Sequence, residues 1–231
     1  MLGLAADQRV KFGEIDSSWN PITGCLHGCT YCWSRNYAKR LASMGVEPYK
    51  THGFNPTLAE WRLRKVPNGK FIFVSDMSDM WGMWVSREWI ERVLRVVRSK
   101  PRSWFFFLTK NPGRYLEFEG EFPNNVVLGA TIETNRDYKL TRAPAPRERY
   151  EAMVKLNWRW KAIVIEPILD FDEEFIDWIY EISPAIVYVG YDNYDNRLPE
   201  PKLEKTMILL EALRGITDLR PKTIRKAWYE A

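Results

Sequence analysis

The chain has 231 residues, 45 % of them hydrophobic, with 34 Lys and Arg against 30 Asp and Glu and a net charge of +4. The length suits a single domain spanning 1–231 with an ample core, and no apolar run reaches the ~20 residues of a membrane-spanning helix. Three cysteines crowded together, odd in number, exclude a disulfide framework.

Residues 1–17 are polar and irregular, with Val10-Lys11-Phe12 as the one strand-like piece. Met1–Ala6 is too short to be a signal peptide, and free clustered thiols point to a reducing cytoplasm. Ser18–Thr23 reads as a short first strand. It runs into Gly24-Cys25-Leu26-His27-Gly28-Cys29-Thr30-Tyr31-Cys32, which holds every cysteine at C-x3-C-x2-C spacing. Gly24 and Gly28 give that loop access to positive φ. A helix over 34–44 follows and stops at Gly45. Residues 46–69 have no clean period and carry one short helix near 58–65.

From Lys70 the pattern becomes regular. Phe71–Val74, Trp104–Leu108, Val126–Ala130, Ala162–Ile165 and Ala185–Val189 are short apolar runs, as in strands covered on both faces. Between them lie helices capped by Ser86, over 112–118, over 147–156 and over 172–182. A last helix, Leu203–Leu213, ends at Gly215. Residues 216–231 form a basic tail with Arg220, Lys222, Arg225 and Lys226. Six βα units imply a parallel sheet with right-handed crossovers, either a partial barrel or a flat doubly wound sheet.

Chemistry in barrel-like folds gathers at the C-terminal ends of the strands. Here those ends carry the three cysteines, then Ser78 and Asp79, Thr109 and Lys110, Glu133, Glu166, and Tyr191-Asp192-Asn193. Any one alone reads equally as a turn or cap residue. Six ends together, beside the cysteine loop, point to a polar pocket. Three thiolates suit an iron–sulfur cluster that leaves one iron open. Zinc, with His27 or His52 as fourth ligand, is the alternative.

The cysteine spacing, with Tyr31 just before the last cysteine, resembles the cluster loop of radical S-adenosylmethionine (SAM) enzymes. Within that superfamily the chain resembles a phage-associated, radical SAM-like three-Cys-motif family. The likeness rests on Trp19-Asn20-Pro21-Ile22-Thr23-Gly24-Cys25, Asp76–Asp79, Leu108–Lys110, Gly129–Glu133 and Glu166-Pro167, and covers about 18–215. It breaks down after the sixth strand, at Val189–Asn193.

The resemblance implies an α/β fold, a partial (β/α)6 TIM-type barrel. It implies that Cys25, Cys29 and Cys32 ligate a [4Fe-4S] cluster whose open iron binds SAM, with Tyr31 beside the adenine. One electron from a separate donor would split SAM into methionine and a 5′-deoxyadenosyl radical. Ser78 or Asp79 would meet the SAM amino group, Glu133 the ribose, and Lys110 a carboxylate or phosphate; Glu166 faces the pocket without an assigned role. A nucleic acid or nucleotide is the favoured substrate, a peptide the other option. Arg87, Arg92, Arg95, Arg98 and the tail offer a phosphate track, or a solvated outer face. A zinc-bearing nucleic-acid-binding module, and an iron–sulfur subunit that works with a protein partner without SAM turnover, are the competing readings. With all three cysteines committed, no cysteine remains for an auxiliary cluster or a hydrogen donor.

Overall fold

The computed structural model describes residues 14–230. Val10–Phe12 and Met1–Ala6 therefore lie outside the described residues. The elements in order are β1 (Ser17–Trp19), β2 (Ile22–Thr23), α1 (Trp33–Ser43), α2 (Tyr49–His52), β3 (Thr57–Leu58), α3 (Glu60–Leu63), β4 (Phe71–Val74), α4 (Arg87–Arg98), β5 (Trp104–Thr109), α5 (Gly113–Leu116), β6 (Val126–Thr131), α6 (Pro146–Lys155), β7 (Lys161–Ile165), α7 (Glu174–Ile182), β8 (Ile186–Val189), α8 (Leu203–Leu213) and β9 (Asp218–Pro221).

Seven strands form one sheet in the order β1-β4-β5-β6-β7-β8-β9, and every pairing is parallel. The sheet curls into a half-barrel with the helices outside. Side-chain alternation along the strands sorts the apolar residues. In β5, Phe105 and Phe107 point outward into the large core shared with α4, α6, α7 and α8, while Trp104, Phe106 and Leu108 point into the concave interior. Phe73, Val164 and Tyr188 join them there. Gly129 in β6 makes room: a Cβ there would lie 2.6 Å from the Phe106 ring.

Local chemistry fixes the helix starts. The Ser86 hydroxyl accepts from Trp89 N at 3.3 Å, with Glu88 in the first turn and Arg95 and Arg98 in the last of α4. Ile90, Val93, Leu94 and Val97 form its buried stripe. Pro146 opens α6, and Glu148 accepts from Ala145 N at 2.7 Å.

Two expectations are corrected. Ser18–Thr23 is not one strand. β1 ends at Trp19, the chain leaves the sheet at Asn20-Pro21, and β2 pairs antiparallel with β3 in a separate two-stranded ribbon. Pro21 has no N–H to continue a ladder. The basic tail is not an appendage either. β9 adds a seventh strand against β8, with Ile186 opposite Asp218 and Val189 opposite Pro221. As an edge strand it carries polar residues and ends on proline, so it lacks the apolar run that marks the inner strands.

Candidate metal and cofactor site

The cysteine loop leaves β2 and is gripped from three sides. Behind it, Gly24 N donates to Met77 O at 3.0 Å and the Ser78 hydroxyl donates to Gly24 O at 2.8 Å. On one flank Cys25 N donates to Phe54 O at 3.2 Å. On the other, Thr30 N donates to Leu140 O at 3.0 Å and Arg142 N to His27 O at 2.7 Å. Gly24 and Gly28 sit at φ +82° and +67°, as expected. A Cβ at Gly24 would fall 2.3 Å from the carbonyl oxygen of Asn55.

All three cysteines are free and line one cavity of about 430 Å³ at the C-terminal ends of the strands. Cys29 is buried, and its thiol donates to the Thr141 hydroxyl at 3.2 Å. Cys32 caps α1, its sulfur accepting from Arg35 N at 3.4 Å, a position that favours a thiolate. Burial, and then the charge of Asp79, pushes the Cys25 thiol up; burial does the same for Cys32. Among the described residues, no three His, Cys, Asp or Glu side chains converge tightly enough to hold a single metal ion.

Tyr31, Ser78, Asp79, Lys110 and Glu166 all line this cavity, as do Asp76, Asp192 and Asn193. Their engagements differ. Asp79 is buried and saturated: it accepts from His27 Nε2 at 2.7 Å, Thr109 Oγ1 at 2.7 Å, Lys110 N at 2.9 Å and Trp81 N at 3.0 Å. Burial alone would raise its carboxyl; the bond and charge of His27, with the Lys110 N–H and Thr109 hydroxyl, hold it below the usual carboxylate range. His27 is thereby committed to Asp79, and its ring packs edge-on against Trp84 at 4.7 Å. His52 closes α2 and is not among the cavity-lining residues.

Glu133 sits just behind the cavity wall, 3 % exposed. It accepts from the Tyr31 hydroxyl, from Lys110 Nζ and, at 2.7 Å, from Arg149 Nη1. Burial would raise its carboxyl, but the charges of Lys110 and Arg149 win and hold it at about 2. Asp76 stands apart. It accepts from Ser18 Oγ at 2.7 Å and Asn20 Nδ2 at 2.5 Å, both neutral donors. Glu166, at the end of β7, meets Lys222 Nζ at 3.0 Å and Asn193 Nδ2 at 3.4 Å.

Two features escaped the sequence reading, Arg149 on α6 and the 140–142 strap over the cysteine loop, and Lys222, read only as part of a basic tail, reaches Glu166 in the cavity. Arg149 did leave a signal. With Ala152, Met153 and Leu156 it falls on one apolar stripe at helical spacing, where an arginine has to be paired. The strap has no periodicity to read.

Three of the four α4 arginines read as a phosphate track are engaged within the protein. Arg87 pairs with Glu91 and Glu121, Arg92 with Glu60, and Arg98 donates to Glu121 O. In the tail Arg220 pairs with Asp218 and Arg225 with Glu200. No helix among the described residues is long and apolar enough to cross a membrane.

Fold and loop together define an α/β half-barrel of radical SAM-like architecture with a three-cysteine mouth. The chain belongs to the family described as protein of unknown function (DUF5131), whose model matches residues 10–181. An uncharacterized protein of Acidianus two-tailed virus is 25 % identical over 161 residues, 62 % of this chain and 52 % of that one. Among solved structures, a cysteine-to-serine mutant of spore photoproduct lyase aligns at 12 % identity and a TM-score of 0.54, covering 87 % of this chain and 61 % of the lyase. Spore photoproduct lyase complexed with dinucleoside spore photoproduct aligns at 11 % identity and 0.51, covering 84 % and 60 %. This chain thus spans about half the viral relative and three-fifths of the lyase chains. At these identities the likeness to the lyases is one of fold.

Proposed function

We propose that the chain is a radical SAM enzyme working in a reducing cytoplasm. The observation that carries the reading is the position of three free cysteines on a glycine-hinged loop at the mouth of a parallel half-barrel cavity. The donor set fits an iron–sulfur cluster: three sulfurs for three irons, with the fourth iron left open. A single zinc ion would need a fourth protein ligand beside the three thiolates; His27 is committed to Asp79 and His52 does not line the cavity. When bound, a [4Fe-4S] cluster with SAM supplies one-electron cleavage of SAM to methionine and a 5′-deoxyadenosyl radical.

The chain's own residues then bind and orient. Cys25, Cys29 and Cys32 hold the cluster. The saturated Asp79 is a poor receptor for an ammonium group, since its acceptor sites are filled from within the protein. Asp76, facing the cavity with two neutral donors and no cation, and Ser78 beside it suit the SAM amino group better. Tyr31, held by Glu133, would lie by the adenine. The aromatic floor of Phe73, Phe106 and Tyr188 suits a planar ring, which favours a nucleotide or nucleic-acid substrate over a peptide. The dinucleoside held by a lyase of similar fold agrees with that preference. Lys110 and Glu166 line the same space as candidate substrate contacts.

The test is anaerobic reconstitution followed by iron, sulfide and zinc analysis, then dithionite and SAM with assay of 5′-deoxyadenosine. Four irons per chain with deoxyadenosine formed is the expected result. Zinc without iron, in protein never exposed to air, would overturn it.

A further inference from the structure

The cysteine loop has a second face. Opposite the cavity, a shallow open groove is lined by Cys25, Leu26, Gly28, Arg35, Lys139 and Arg142, among others. Cys25 lines both spaces, as does Phe54. We propose that this groove is the docking surface for an acidic one-electron carrier protein, which delivers the electron to the cluster through the Cys25 side of the loop. The inference rests on the cluster reading above and names its partner.

Charge carries it. The lining includes three cationic side chains and not one carboxylate. Asp137 is tied to Lys139, and among the described residues Arg35 and Arg142 form no ion pair with a carboxylate, so two lining cations remain uncompensated. Arg142 is exposed and spends one N–H on Leu26 O at 3.0 Å, across from Gly28. That pins the loop and keeps the guanidinium at the groove's lip. Several basic residues elsewhere are neutralised: Arg87 and Arg92 of α4 by Glu91, Glu121 and Glu60, and Arg220 and Arg225 of the tail by Asp218 and Glu200. Leu26, 41 % exposed, offers an apolar centre among the charges, the arrangement of a transient interface with a charged rim. The cavity side is unsuited to the same task. Its lining carries Asp76, Asp79, Glu166 and Asp192 against Lys110 and Lys222, and it must admit SAM and substrate. Like charge there would repel an acidic carrier, while the groove attracts it.

The experiment follows reduction of the reconstituted full-length protein by flavodoxin hydroquinone, and separately by reduced methyl viologen, a small cation. Wild-type protein is compared with the Lys139→Glu variant, which reverses one lining charge and frees the Asp137 carboxylate while leaving the Arg142 bond to Leu26 O in place. Electrostatic steering of this kind changes association rates by tenfold or more and collapses with salt. The flavodoxin rate of the wild type should therefore fall steeply between low and physiological salt. The variant should be about tenfold slower with flavodoxin at low salt and no slower with viologen. A wild-type flavodoxin rate indifferent to salt overturns the docking surface without any variant. So does an equal flavodoxin rate in variant and wild type when both reduce normally with viologen. Protein that takes up no iron overturns the cluster reading itself, and the docking surface falls with it.

Discussion

Arg149 and Glu133 form a buried ion pair, Nη1 to Oε2 2.7 Å, with side chains 1 % and 4 % exposed. The arginine comes from the middle of α6 and the glutamate from just past β6. Arg149 also donates to Thr131 O at 3.1 Å and Pro144 O at 2.6 Å. One guanidinium thus closes the backbone of two segments and anchors the carboxylate that holds Tyr31 and Lys110. Removing one partner of a buried pair costs roughly 3–5 kcal/mol when the other is left unpaired; because Glu133 keeps Lys110, the loss should fall toward the low end of that range. Arg149→Met is therefore expected to lower the urea midpoint sharply. Arg149→Met with Glu133→Gln should recover part of the loss. Equal stability of the single variant and the wild type would show that the pair is not closed in solution.

Glu133 also sets a pH dependence. Its carboxyl is held at about 2 in the folded chain, below the ordinary value near 4.3 of an unfolded one. A depressed pKa stabilises the fold while the group is ionised. The contribution is complete above about 4.3 and drains away as the pH falls toward 2. Stability measured by urea at pH 7, 4.5 and 3 should drop more between the last two points in wild type than in Glu133→Gln. Parallel curves would remove Glu133 from the acid limb.

Much of this arrangement can be read from the chain, and its gaps have physical causes. The in-and-out sorting of Trp104–Leu108 follows from a period of two between buried faces. The hinge at Gly24 is visible because few residues other than glycine accept φ near +82°. The partnership of Asp79 with His27, 52 positions away, is not visible: a carboxylate after a strand looks the same whether it meets a ligand or a neighbour. β9 hides for a related reason, since an edge strand needs no apolar run. The 140–142 strap is held largely by backbone bonds, which any sequence can make, with the Arg142 guanidinium added.

Gly24 offers a sharper test of the cysteine loop than the cysteines themselves. Gly24→Ala must place a methyl 2.3 Å from Asn55 O and 2.4 Å from its carbonyl carbon, both backbone atoms. It must also hold an L-residue at positive φ, a cost of order 1–3 kcal/mol. The contact lies between the cysteine loop and the Asn55 loop, outside the seven-stranded sheet. The expected outcome is a folded protein with a near-normal circular dichroism spectrum and several-fold lower iron uptake on reconstitution. Full iron loading would show that the loop does not need its observed path to present the thiols.

The tail makes the last prediction. Glu200 is buried, 2 % exposed, and Arg225 engages both of its oxygens, at 2.7 Å and 2.8 Å. Trp228 N adds a third bond at 3.1 Å, and Arg225 also donates to Asp192 O at 2.8 Å, at the cavity's far end. These bonds clamp the chain after β9 onto the body and hold Lys222 against Glu166. Arg225→Ala leaves the buried Glu200 carboxylate with only the Trp228 N–H. Arg225 is itself about one-third exposed, so water relieves part of the penalty, and the loss should be about 2 kcal/mol. Deleting 216–231 should be worse in kind. It bares the hydrogen-bonding edge of β8, whose Ile186, Val187 and Val189 are buried beneath that edge, and an exposed apolar edge strand pairs with copies of itself. Size-exclusion chromatography with light scattering should find the truncated chain aggregated and Arg225→Ala monodisperse but less stable. A soluble, monodisperse truncated chain that melts with the full-length protein would mean that β9 contributes nothing to the sheet.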